Sequence, residues 1–351
     1  MKYLLLITII LISACTNKNP PDADLHNTRA FQFIYEVEVE PTQGKKLELW
    51  LPLPQSNQVQ TISNLQINTN GLNYTLKDEF HHSNKYLYVF DESGRINPTK
   101  ISITFDVLRK EHKNISDKNA DPEKYLGPYQ AVPTGDIFST IITENKLSKN
   151  DMRGIYDYVF EGMHYGKPTS VDDEYYNDPW LKSEAVYGRK RVGREEVVNL
   201  YQQSKKEGGT YTFGNGNSIY ACNIGVGNCT DYHSYFMSLG RTLNVPVRFH
   251  MGFPIPSDSE GEVGGYHCWA DYYVEGEGWY PVDISEGDKD PERKDYYFGT
   301  LDNNRVEMMV GRDFVLDEFE KDTANLFIYP FLEVGDKKSN AFTKSFRYKN
   351  L

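Results

Sequence analysis

Gly227-Asn228-Cys229-Thr230-Asp231-Tyr232 opens the stretch on which the reading of this chain turns. From Tyr232 onward, bulky apolar residues recur at Tyr235, Phe236, Leu239 and Leu243, the spacing of one helical face. Gly225 and Gly227 precede the run, and Asn244-Val245-Pro246 stops it. Cys229 therefore falls in the first turn of a buried helix. Unpaired N–H groups and a partial positive charge at that end favour a thiolate, so the thiol is expected to ionise easily. The backbone N–H of Cys229 points where an oxyanion would sit.

The sequence downstream supplies partners. Val245, Val247 and Phe249 alternate and read as a strand, followed by a Ser/Glu/Gly-rich loop from Pro254 to Gly265. Tyr266 to Val274 reads as a second strand and Trp279 to Asp283 as a third, with Glu275-Gly276-Glu277-Gly278 as the turn. A thiol on a helix, His267 on one strand and Asp283 on the next are the three groups that nucleophilic catalysis by cysteine needs. The imidazole takes and returns the proton, and the carboxylate orients the ring and stabilises its cation. Residues directly opposite in a ladder share a face. A two-residue turn at Gly276-Glu277 would put Asp283 opposite Ala270, on the wrong face. A three-residue loop Gly276-Glu277-Gly278 puts it opposite Asp271. A bulge or strong twist is therefore expected in this hairpin.

Upstream, Ala30 to about Lys110 has a period of two. Phe31, Phe33, Tyr35, Val37 and Val39 alternate, as do Leu47, Leu49, Leu51 and Leu53. Pro52 and Pro54 demote the end of the latter run to an edge or an exit. Tyr86–Phe90 and Ile101–Val107 follow, with turn signals at Gln43-Gly44, Asn70-Gly71 and Ser93-Gly94. Short strands at this spacing predict a β-sandwich over residues 30–115. A polar connector leads to residue 135. Helices are expected at Asp136–Glu144, from Ser148–Asp151 to about Met163, and at Arg194–Ser204.

The 351 residues suggest about two domains, and 14% aromatic content with 26 Tyr favours sheet-rich cores. With 38 basic and 50 acidic residues, net charge −12 and no basic block, nucleic acid is excluded as a partner. Residues 1–14 carry Lys2, then an apolar run from Leu4 to Ile12, too short to span a bilayer. Ser13-Ala14-Cys15 ends it like a bacterial lipoprotein signal, with cleavage before Cys15 and lipid on that residue. Thr16 after the cysteine is similar to outer-membrane sorting signals. The expectation is a cell-envelope lipoprotein of the outer membrane, facing the periplasm or the cell surface. Residues 15–29 read as a flexible tether.

The order Gly-x-Cys-x-Asp-Tyr, then Tyr-His-x-Trp-Ala (Tyr266 to Ala270), then Gly-Trp-Tyr-x-Val-Asp (Gly278 to Asp283), resembles the transglutaminase-like superfamily. The likeness covers about Ser148 to Glu286. Phe298-Gly299-Thr300, Gly311-Arg312-Asp313 and Phe327-Ile328-Tyr329-Pro330 are similar to an extension in bacterial members, and Leu49–Pro54 is similar to their strand-rich N-terminal part. The resemblance implies an α+β chain: an N-terminal β-sandwich, then a papain-like transglutaminase-type catalytic domain over residues 136–351. It implies Cys229 as nucleophile, His267 as base and Asp283 as orienting acid, without a cofactor. Cys268 departs from the small residue usual there. The second oxyanion donor, upstream of the nucleophile, has three candidates in Tyr220, Asn223 and Asn228.

Other readings of the same residues are weaker. Zinc at Cys222, Cys229, His267 and Cys268 lacks any Cys-x-x-Cys pair, and His267 and Cys268 point to opposite strand faces. A Cys222–Cys268 disulfide is open, but two buried thiols fit better. The acidic run from Asp283 to Glu292 reads as a solvated loop rather than a calcium site. His233 reads as a surface residue. The sequence thus points to a lipid-anchored cysteine enzyme that cleaves or transfers acyl groups of peptide or side-chain amides through a thioester. Hydrolysis is favoured, with peptides, including cell-wall peptides, as partners. The alternative is a catalytically silent cell-envelope binding module that keeps the fold.

Overall fold

A computed structural model describes residues 27–116, 121–166, 168, 188–317, 319 and 323–351. The proposed signal, Cys15 and most of the tether lie outside these residues. In chain order the strands are β1 (Thr28–Val39), β2 (Leu47–Leu53), β3 (Gln60–Asn68), β4 (Asn73–Asp78), β5 (Lys85–Asp91), β6 (Thr99–Lys110), β7 (His164–Tyr165), β8 (Val226–Gly227), β9 (Val247–Pro254), β10 (Glu260–Glu262), β11 (His267–Val274), β12 (Gly278–Val282), β13 (Arg305–Val310), β14 (Phe331–Val334), β15 (Lys338–Ser339) and β16 (Phe342–Asn350). The described α-helices are α1 (Asp136–Asn145), α2 (Met152–Gly162), α3 (Arg194–Glu207), α4 (Ser218–Ile224), α5 (Cys229–Thr242) and α6 (Ile284–Lys289).

The chain is α+β. Two five-stranded sheets form the sandwich, in the orders β10-β16-β1-β6-β3 and β15-β14-β2-β5-β4. Alternation explains the first: the odd residues from Phe31 to Val39 on β1 and from Thr99 to Arg109 on β6 are buried, and Phe33 lies opposite Phe105. Here the structure corrects the sequence reading. The last strands do not extend the catalytic half. β16 pairs along β1 from Asn350 to Phe342, and β14 pairs with β2 from Trp50 to Leu47. The sandwich is thus built from both ends of the chain. β2 is interior up to Trp50; beyond it the β14 pairing has stopped, so the end that carries Pro52 is an edge, as its prolines indicate.

A four-stranded antiparallel sheet, β12-β11-β9-β13, carries the second half, with α5 against it. Every residue of α5 from Cys229 to Arg241 is buried. The two halves share one continuous apolar core. Phe253 at the end of β9 packs 5.1 Å from Phe33 and 4.4 Å from Phe346, ring centre to ring centre. The connector is pinned to the four-stranded sheet by paired backbone hydrogen bonds of 2.9 Å between Ile115 and Trp279. Gly278 is required at that crossing: its φ is +113°, and a Cβ there would meet the Ile115 carbonyl at 2.2 Å.

The expected hairpin irregularity is absent. The β11–β12 ladder runs evenly from Ala270↔Val282 to Val274↔Gly278 around a loop of Glu275, Gly276 and Glu277. The loop starts one residue earlier than expected, so Asp283 continues the register opposite Trp269, on the face of His267, with no bulge. The acidic run after it is not a solvated loop either. Asp283 caps α6, whose Ile284, Ser285 and Gly287 are buried.

Candidate active site

The start of α5 is built by a capping box. The Asn228 side chain accepts from Thr230 N at 3.0 Å, and Asp231 Oδ2 accepts from Asn228 N at 3.0 Å. Asp231 also accepts from Gly214 N (2.8 Å) and Gly216 N (3.0 Å), which ties the loop before α4 to the helix. These caps use the N–H groups of Asn228 and Thr230 and not that of Cys229. Burial pushes the Asp231 carboxyl up to about 7, against the pull of its three backbone donors. Arg312, from one of the motifs read as an extension, holds the same corner. Its guanidinium donates to Ser234 Oγ at 2.8 Å and to the carbonyls of Asn215 and Gly216 at 3.2 Å.

Cys229, His267 and Asp283 come together. Cys229 is 2% exposed, His267 4% and Asp283 0%. His267 Nε2 donates to Asp283 Oδ2 at 2.7 Å, and the Cys229 thiol hydrogen-bonds to the His267 ring and to the Cys268 thiol. With Nε2 committed to the carboxylate, Nδ1 is the nitrogen left for the sulfur. Burial works against ionising Cys229. The hydrogen bonds from Cys268 and His267, the imidazolium charge and the Lys289 ammonium outweigh it and hold the thiol well below its ordinary range. Burial likewise opposes protonation of His267, but the charge and hydrogen bond of Asp283, then Cys229, push it up to about 10. Asp283 lies well below the usual carboxylate range: His267, Arg305 and His233 overcome its burial. The three side chains thus favour a thiolate–imidazolium–carboxylate chain.

Several members of this site were not singled out by the sequence reading. Arg305 on β13 donates to Asp283 Oδ2 at 2.8 Å. Ser285 Oγ and Glu286 N donate to Asp283 Oδ1 at 3.0 and 3.1 Å. His233, expected at the surface, is fully buried. Its Nδ1 meets the Cys229 carbonyl at 2.7 Å, its Nε2 accepts from Ile284 N at 3.0 Å, and it lies 3.8 Å from Asp283 Oδ1. One turn along α5 from Cys229, it reaches α6 because both helices close over the same strand end. For His233 a signal did exist: the i, i+4 spacing puts it on the same helix face as Cys229.

The oxyanion candidates separate. Asn228 lines the cleft next to Cys229, and its side chain hydrogen-bonds the Tyr266 hydroxyl. Asn223 on α4 donates to Tyr211 Oη at 3.1 Å. Tyr220 sits in a satellite cluster with Val192, Val197, Ile224 and Val226. Of the three, Asn228 lines the cleft, whereas Asn223 bonds Tyr211 and Tyr220 packs in the satellite cluster. Cys222, Cys229 and Cys268 are buried free thiols. Cys222 contacts Tyr235, and Cys268 lies beside Cys229 and 3.6 Å from Thr230 Oγ1. Among the described residues, no cluster of three or more His, Cys, Asp or Glu side chains is arranged to hold a metal ion.

A cleft of about 630 Å³ lies beside this point and is lined by Asn228 and Tyr266, the chain neighbours of Cys229 and His267. Tyr165, Tyr201, Phe213, Tyr266 and Tyr329 give it aromatic walls, and Gly208, Gly209, Gly214 and Gly265 expose backbone along it. Tyr266, next to His267, is fixed by its hydroxyl to Thr230 Oγ1 at 2.9 Å. A groove with apolar walls and bare backbone suits an extended polyamide chain.

Comparison with known proteins bears on the core and the fold. Residues 183–284 match the model of the transglutaminase-like superfamily core. An uncharacterized protein of Haemophilus influenzae is 25% identical, across 98% of this chain and 97% of its own length. A crystal structure from Cytophaga hutchinsonii, described as a candidate cysteine protease, superposes with a TM-score of 0.56 at 12% identity. That match covers 93% of this chain and 91% of the other, and it shows a shared fold. The helix-borne cysteine and the strand-borne histidine lie within residues 183–284, the part of the chain that matches a transglutaminase-like core.

Proposed function

We propose that the chain is a cysteine-dependent amide hydrolase. The observation that carries this reading is the buried contact chain Cys229–His267–Asp283, whose neighbours Asn228 and Tyr266 line an aromatic cleft. The Cys229 thiolate attacks the carbonyl carbon of an amide, and the carbonyl oxygen takes up the negative charge. The Cys229 N–H, which the helix cap leaves unused, is the donor proposed for that charge. The C–N bond breaks as His267 passes its proton to the leaving nitrogen, which departs as an amine and leaves a thioester on Cys229. His267 then takes a proton from water, whose oxygen attacks the thioester. The acid leaves and the thiol is restored. An amine in place of water would give acyl transfer by the same three residues.

Peptides, including cell-wall peptides, are the proposed substrates. The small-residue cleavage site before Cys15 supports lipid anchoring in the cell envelope, at the outer membrane. One experiment tests both readings. Membrane-extracted protein is treated with iodoacetamide across pH and mapped by mass spectrometry. Diacylglycerol on Cys15 and selective alkylation of Cys229 below pH 7 are expected. Cys229→Ala should lower amide turnover at least about 10³-fold with little loss of fold. Slow labelling of Cys229 with a pKa of about 8.5 would instead point to the catalytically silent module.

A further inference from the structure

Asp283 serves two cations through one oxygen. Its Oδ2 accepts from His267 Nε2 at 2.7 Å and from Arg305 Nη1 at 2.8 Å. Arg305 is 2% exposed and stands on β13. Its guanidinium lies 5.1 Å from the Trp269 ring, and Nη2 is 3.6 Å from Asp302 Oδ1. The other Asp283 oxygen is held by Ser285 and Glu286, so the carboxylate is fixed at both ends.

In a simple thiol–imidazole–carboxylate chain the carboxylate charge acts on the imidazolium alone. Here a permanently charged guanidinium competes for it on the very oxygen that binds the ring. An imidazolium held too tightly cannot release its proton to a leaving amine. We propose that Arg305 is a positioning residue that fixes the orientation of Asp283 and limits the share of its charge felt by His267. For catalysis this rests on the function proposed above, but the titration of His267 does not depend on it.

The groups that face His267 come from several elements. Cys229 and His233 stand on α5, and Cys268 and Trp269 on its own strand. Glu286 of α6 has Oε1 at 3.8 Å, and Lys289 of α6 pairs with Glu286 at 2.7 Å. Tyr156 of α2 feels the charge of Asp283, and Asp302 lies behind Arg305. Among the described residues, Arg305 is the arginine or lysine bonded to Asp283.

The test follows His267 by imidazole NMR in the folded full-length protein, alongside the pH profile of Cys229 alkylation. Arg305→Gln keeps a hydrogen-bond donor without the charge and should raise the His267 titration by about one unit. Arg305→Lys, which restores the charge, should return it most of the way. Asp302→Asn leaves Arg305 in place, frees its charge for Asp283 and should lower the titration. A His267 titration that is unmoved or lowered in Arg305→Gln overturns the proposal. Should Arg305→Gln not fold, Asp302→Asn decides: a downward shift supports the proposal and no shift overturns it. None of these readouts uses a substrate. A chain that shows the shifts but turns over no amide would overturn the function alone.

Discussion

At Cys229 the opposing effects can be ranked. Burial of a thiolate at 2% exposure is the largest single influence, and it acts against ionisation. A helix N-terminus contributes only about 0.3–1 kcal/mol, less than one pKa unit, and would not overcome it. What tips the balance is the pair of hydrogen bonds from Cys268 and His267, together with the imidazolium charge. Cys268 is therefore more than a small residue filling a gap. Its own thiol is driven well above the ordinary range by burial and by the neighbouring thiolate, so it stays protonated and donates. Cys268→Ala should raise the Cys229 pKa by about half a unit to one unit. The midpoint of the iodoacetamide profile would move up by that amount, with little effect at pH 9. An unmoved profile would mean that His267 alone sets the thiol.

At the scale of elements, α5 is the part whose entry has to be exact to within hydrogen-bond lengths. Asp231 joins the helix start to residues 214–216 by three backbone N–H groups. Replacing it by Asn turns one acceptor oxygen into a donor facing N–H groups. The expected loss is about 2–3 kcal/mol of unfolding free energy, read by urea denaturation at pH 7. Its pH dependence has a definite sign. The folded-state carboxyl lies at about 7, above its unfolded value, so its stabilisation is complete below about pH 4 and fades as pH rises towards 7. The deficit of Asp231→Asn should therefore be largest near pH 4 and narrow towards pH 7. A deficit that widens over this range would show that the ionised form is the one the loop stabilises. The β11–β12 hairpin teaches a related lesson. The turn glycines were visible, but sliding the loop by one residue moves Asp283 by two register positions along His267's face. Only the Ile115–Gly278 crossing and the neighbouring strands settle which slide occurs.

On the scale of the whole molecule, the two ends of the chain share the sandwich. β16 covers β1 along nine residue pairs, and Phe346 packs between Tyr35 and Phe253, the latter at the end of a strand of the catalytic sheet. Removing residues 331–351 would strip β14–β16 and leave β1 and β2 with open edges. Burial of Phe346, Tyr348 and Leu332 alone is worth about 5–8 kcal/mol, comparable with the whole stability of a typical domain. The truncated chain should lose cooperative unfolding of both halves, seen as aggregation or as a broad, early thermal transition. A sharp transition close to that of the full chain would show that the catalytic half stands alone.

Local patterning was enough to read β1, β2, β5, β6 and the start of α5, because period and capping are set by neighbours in the chain. The order of Cys229, His267 and Asp283 was legible for the same reason, each lying in a short stretch with its own signature. The sequence by itself thus determined which residue types stand at the site and on which kinds of element. Tertiary structure alone decided that Arg305 and His233 close on Asp283, that Asn228 rather than Tyr220 or Asn223 faces the cleft, and that the C-terminal strands return to the sandwich. Those outcomes depend on contacts between residues tens to hundreds of positions apart, formed as several sheets and helices pack together, and no short-range period encodes them.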